Sequence, residues 1–145
     1  MTNRIEKAAE TFSKGFNCAQ SVFSAYAPEL GIPEEEALRI SSGFGGGMAR
    51  LQEVCGAVTG AFMVIGGKVG SADPAEKAKL EAYRNVRAFD KRFRELHGTI
   101  LCRELLRIDL NTDEGQKQLK EENLHQTICV QCISDAMRIL EEVVP

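Results

Sequence analysis

The chain predicts an all-α fold, a single-domain irregular helical bundle, and three observations carry that prediction. Apolar residues recur at three- and four-residue spacing through most of the 145 positions, as buried helix faces require. No segment alternates apolar and polar residues in the manner of a half-buried strand. Asparagine, threonine and proline precede the periodic stretches and glycine follows several of them, which is the punctuation of helix starts and stops. The expected architecture is about five to seven helices around a central Gly/Ala-rich apolar helix, with residues 1–145 as one domain. That length buries a core without disulfide staples.

Ile5, Ala8, Ala9 and Phe12 mark a first helix that Ser13-Lys14-Gly15 breaks. Asn17 caps a second, with Cys18, Val22, Phe23 and Tyr26 on one side. Pro33 suits the first position of a short third helix, where Glu34, Glu35 and Glu36 favour its positive end. The permissive run Gly43-Phe44-Gly45-Gly46-Gly47 follows, then the apolar helix, expected from about Gln52 to Gly70. Its apolar residues lie on all sides, so it should run through the centre. Asp73-Pro74-Ala75-Glu76 starts a long helix striped by Leu80, Tyr83, Val86, Phe89, Phe93 and Leu96 and ended by Gly98. A short helix should hold Cys102, Leu105 and Leu106. Thr112 caps another over Asp113 to Lys120, and Cys129, Ile133, Met137, Leu140 and Val144 line the last.

Composition narrows the function. Net charge is −3 and the pI about 5.5, without the basic surplus of a nucleic-acid binder. The apolar stretch Val54 to Gly67 falls short of the ~18–20 residues that span a bilayer. Met1 to Lys7 shows no charged-then-apolar leader, so a reducing cytoplasm is expected, where free thiols outnumber structural disulfides. The cysteine count of five is odd and cannot close into pairs within one chain.

Those cysteines are the candidate chemistry. Cys18 follows the cap Asn17, where backbone N–H groups and the helix dipole favour a thiolate. Cys55 stands near the start of the apolar helix, where burial opposes the same effect. Gly56, Ala57, Gly60 and Ala61 leave a smooth surface beside it, suited first to close helix packing and second to a ligand next to the sulfur. Four glycines within Gly43–Gly47 exceed the needs of a turn. Gly45, Gly46 and Gly47 are therefore candidates to turn N–H groups toward an anion or cofactor. No Gly-Lys-Ser/Thr ending is present, so nucleotide binding finds little support. Arg103 and Arg107 stand near Cys102, either to stabilise a thiolate or to face water. Cys129 and Cys132 form a C-x-x-C without the βαβ context of a dithiol oxidoreductase, and His125 shares their helical face. A zinc site would want a second such pair.

Taken in order, five segments resemble the C_GCAxxG_C_C family of redox-active proteins. They are Gly15-Phe16-Asn17-Cys18-Ala19-Gln20-Ser21-Val22, Ser42-Gly43-Phe44-Gly45-Gly46-Gly47-Met48, Glu53-Val54-Cys55-Gly56-Ala57-Val58-Thr59-Gly60-Ala61, Leu101-Cys102-Arg103-Glu104-Leu105-Leu106, and Cys129 ahead of Asp135-Ala136. The family's four cysteines fall on Cys18, Cys55, Cys102 and Cys129, which leaves Cys132 as an extra. The resemblance implies an all-helical fold and a redox or metal role.

The function expected is a cytoplasmic thiol site where Cys18, Cys55, Cys102 and Cys129 converge for thiol/disulfide or electron-transfer chemistry, a thiol-dependent oxidoreductase if it is an enzyme. Alternatively, the same thiolates bind a soft metal ion such as zinc or copper(I), or a metal cluster. A third alternative is a non-catalytic scaffold with cysteine as core filler. The first reading calls for a redox partner or small molecule, with no nucleic acid and no membrane span. The glycine-smoothed helix would serve a homodimer as readily as a monomer core.

Overall fold

Polar side chains cap the starts of three of the described helices. In this computed structural model, which describes residues 3–145, the Asn3 side chain accepts the Glu6 N–H at the head of α1, Arg4–Ser13. Asn17 does the same for Gln20 at the head of α2, Cys18–Ala25. The Gln20 side chain returns the bond to the Asn17 N–H, completing a capping box. Thr112 caps α8, Asp113–Glu121, by accepting the Gly115 N–H. Gly98, at φ 80°, ends the long α6, Glu76–His97, in the left-handed turn that glycine favours.

Between these lie α3, Ala27–Leu30, α4, Glu34–Ser41, α5, Gly56–Val69, and α7, Cys102–Leu106, with α9, Val130–Val143, closing the chain. A 3₁₀ turn, Ser42–Phe44, follows α4, and a π-helical turn, His125–Cys129, runs directly into α9. The all-α expectation holds. Nine helices replace the expected five to seven among the described residues. α3 and α7 are four and five residues long, single turns too short to show a periodic stripe.

α5 occupies the centre and packs against α2, α6 and α9. Ala57, Val58, Ala61, Val64 and Ile65 are wholly buried. Its glycines permit the approach of α2: a Cβ on Gly60 would stand 2.9 Å from the Ala19 carbonyl oxygen, and one on Gly56 would stand 2.9 Å from the Ala19 nitrogen. Phe89 and Phe93, fully buried, anchor α6, each worth about 1.5–3 kcal/mol of burial. A second, smaller core gathers Cys102, Leu106, Leu110, Leu119 and Leu124 beside α7 and α8.

The central helix begins four residues later than expected. Gln52 is left-handed at φ 56°, and Val54 pairs with Leu101 in an isolated antiparallel bridge. Around that bridge the Cys55 N–H donates to the Ile100 carbonyl at 2.7 Å, and the Cys102 N–H to the Glu53 carbonyl at 2.7 Å. Two helix starts, α5 and α7, are thereby stapled side by side.

Candidate functional site

Where the two cores meet, a cavity of about 480 Å³ opens, and all five cysteines line it. Each arrives on a different local device. Cys18 is the first residue of α2, and Cys55 is the cap residue of α5. Cys102 begins α7, held beside Cys55 by the bridge. Cys129 ends the π-helical turn, and Cys132 lies one turn on in α9. His125, Ile128, Cys129 and Cys132 all line the cavity, so the π turn and α9 present one continuous face to it. Isolated π turns are rare and recur at functional sites.

The sulfurs stand in two neighbouring pairs: Cys129 acts most strongly on Cys18, and Cys132 on Cys55. All five are free thiols. The Cys132 thiol and the backbone N–H groups of Ala57 and Val58 lie around the Cys55 sulfur. These lower its pKa against the opposing effect of burial, so Cys55 is the best placed thiolate. Cys132, as the donor to Cys55 and as a buried group, is pushed up. Cys18 is also pushed well up, by its bond to Cys129 and by burial. Both effects oppose the thiolate that the helix start would favour at Cys18. Burial raises Cys102 to about 12, assisted by the neighbouring Cys55 and Cys129. Arg103 does not counter it; that side chain ion-pairs with Glu53.

The glycine loop forms part of the wall, and its backbone is unusual. Gly46, Gly47, Met48, Ala49 and Arg50 are consecutive left-handed residues, with φ of 65°, 69°, 71°, 50° and 62°. Each non-glycine residue there costs about 1–2 kcal/mol. Close contacts require two of the glycines. A Cβ on Gly45 would stand 2.5 Å from the Asn17 side chain, and one on Gly47 would stand 2.7 Å from the Cys102 Cβ. Gln52 clamps the far end of the loop: its Oε1 accepts the Leu110 N–H at 2.9 Å, and its Nε2 donates to the Ile108 carbonyl at 2.8 Å. The Asn111 side chain adds a bond to the Arg50 carbonyl at 2.9 Å.

All the cysteines and glycines singled out by sequence, Cys18, Cys55, Cys102, Cys129, Gly45, Gly46 and Gly47, thus line one cavity. Sequence reasoning set Cys132 aside, yet the structure places it against Cys55. Its C-x-x-C spacing was the available signal, obscured because its partner lies far away in the chain. Phe12 was read as core; it also lines the cavity and meets His125 edge-on at 5.7 Å. The sulfurs adjoin one another as pairs, and among the described residues no three Cys, His, Asp or Glu side chains are grouped to hold a metal ion. Nor is any helix among them long and apolar enough to cross a membrane.

A family model described as "Putative redox-active protein (C_GCAxxG_C_C)" matches residues 16–143, and the chain belongs to that family. No curated protein and no solved structure matches it.

Proposed function

From membership in this family and from the paired thiols, we propose that the chain is a single-domain cytoplasmic redox protein that works by thiol/disulfide exchange in this cavity. Cys18, Cys55, Cys102 and Cys129 are its working cysteines, with Cys132 joining them as the neighbour of Cys55. The observation that supports this most is the meeting of five free thiols at one cavity, four of them as neighbouring pairs. Inert filler accounts for a buried sulfur, but five at one wall expose the core to oxidation without return. In the exchange, a thiolate attacks a disulfide and its neighbour resolves the intermediate. Gly45, Gly46 and Gly47 let the loop backbone approach the sulfurs, where its N–H groups can meet a bound oxygen or sulfur anion.

The metal reading uses the same thiolates. It is weaker on this geometry, because pairs supply two donors where a closed site takes four. Oxidation by diamide followed by peptide mass spectrometry tests the proposal. Intrachain Cys18–Cys129 and Cys55–Cys132 bonds are the expected products. Thiols that stay free, or that link only between chains, would overturn it. Stoichiometric metal in protein purified without reductant, with the thiols shielded from alkylation, would install the metal reading in its place.

A further inference from the structure

We infer that the cavity accepts a low-molecular-weight, negatively charged organic disulfide, which Cys55 attacks and Cys132 resolves. The inference rests on the thiol/disulfide reading above and names its substrate class and its leading pair.

Access sets the size. Cys55 is 7% exposed and Cys132 1% exposed, so the bulky disulfide of a folded protein cannot meet them. A cavity of about 480 Å³ lies within the ~300–1,000 Å³ of small-molecule sites. Phe12, Leu105 and Ile128 give it apolar wall for an organic body.

Charge sets the sign. Among the described residues, no carboxylate lines the cavity, and Arg50 is its one lysine or arginine. The chain as a whole carries −3, so the local field opposes the global one. An anion entering here meets a cation and no acid. The Arg50 backbone is held by the left-handed turn and by the Asn111 bond to its carbonyl.

Position sets the order of attack. Cys55 is the cap residue of the fourteen-residue α5, and it lines the cavity together with Cys132. As a thiolate it attacks one sulfur of the substrate. The substrate S–S bond breaks, a mixed disulfide forms on Cys55, and the first thiolate leaves with the bonding pair and takes a proton from solvent. The Cys132 sulfur then attacks the Cys55 sulfur. A Cys55–Cys132 bond forms, and the second thiolate leaves with the proton that Cys132 gives up. Two protein thiols are oxidised and one small disulfide is reduced to two thiols. Cys132 lies outside the four family cysteines, so this pair belongs to the present chain.

The test uses the reduced full chain and three probes: dianionic dithiobis(nitrobenzoate), neutral hydroxyethyl disulfide and cationic cystamine. Each rate is divided by that probe's rate with the same protein unfolded in guanidinium chloride. The normalised rate for the anion should exceed that for the cation by at least about tenfold. That preference should shrink several-fold in Arg50→Gln and in high salt. Equal or inverted ratios would overturn the substrate class; if diamide still closes Cys55–Cys132, the redox reading survives that failure. A protein that forms no bond with any reagent loses both. With the anion, Cys132→Ser and Cys132→Ala should each trap a mixed disulfide on Cys55, and either variant that folds suffices. An adduct on Cys18 or Cys129 instead would overturn the order of attack.

Discussion

α2 and α5 both begin at the cavity with a cysteine, yet the two thiols are driven in opposite directions. At α2 the cap belongs to Asn17, whose side chain takes the Gln20 N–H, so Cys18 stands one residue inside the helix. Its strongest contact is then another thiol, and its pKa rises. At α5 the cap is Cys55 itself, and the Cys132 thiol and the nearby backbone N–H groups of Ala57 and Val58 lower its pKa. The neighbouring thiol, which raises one sulfur and lowers the other, decides which helix start holds the better thiolate. Proximity to a helix dipole is thus insufficient; a neighbouring thiol and burial can outweigh it.

Alkaline titration should disturb this contrast most. Cys18, Cys102 and Cys132 hold their protons in the folded chain beyond the ordinary thiol value of 9.0. Their contribution to stability is full below that value. It is lost as pH rises from there toward about 12, the value of Cys102, because the unfolded chain then releases protons that the folded chain keeps. Cys55 has the opposite sign: its lowered pKa adds stability above 9.0 that is lost as pH falls through its folded value. Three groups outweigh one. Denaturant unfolding at rising pH should show a net loss on the order of 2–4 kcal/mol; stability that stays flat across this range would contradict the assignment.

A wedge between the two helix starts comes next. Gly56→Ala puts a methyl 2.9 Å from the Ala19 nitrogen and 3.1 Å from the Cys18 Cβ. The expected cost is about 1–3 kcal/mol, read as a lowered urea midpoint, together with slower closure of Cys18–Cys129 by diamide. Gly66→Ala is the control: its Cβ meets nothing within 4 Å, and the change should be neutral or slightly stabilising.

Alkylation sharpens the comparison directly. Iodoacetamide modification near pH 7 should fall about tenfold in Cys55→Ser, the worth of some 1.4 kcal/mol in thiolate population, while Cys18→Ser should leave the early reactivity in place. The reverse pattern would move the thiolate to α2. The smallest effect is expected at the α2 cap. Asn17→Ala should cost about 1 kcal/mol in thermal or denaturant unfolding, somewhat more if loss of the Asn17 bond to the Ser42 carbonyl loosens the glycine loop.

The sequence revealed what local chemistry controls. The caps Asn17 and Thr112 and the stop Gly98 placed three helix ends, and the apolar circumference of α5 placed it at the centre. Cys132 was set aside because its role depends on Cys55, a contact that spacing within α9 does not encode. The helix-end argument for a thiolate at Cys18 is outweighed by Cys129 and by burial, neither of which the residues around Asn17 encode. The left-handed run escaped notice because Met48, Ala49 and Arg50 have no preference for positive φ. Only the clamp from Gln52 and the glycines before them force it.

That run also has a consequence for handedness at the level of single atoms. At Met48, Ala49 and Arg50 the backbone follows a path on which an L residue sets its Cβ against its own carbonyl, whereas a D residue would not. Ala49 is the simplest of the three, with a φ of 50°. Chemical synthesis of the chain with D-alanine at that one position would relieve about 1–2 kcal/mol of conformational energy. The mirror-image amino acid is the better fit there.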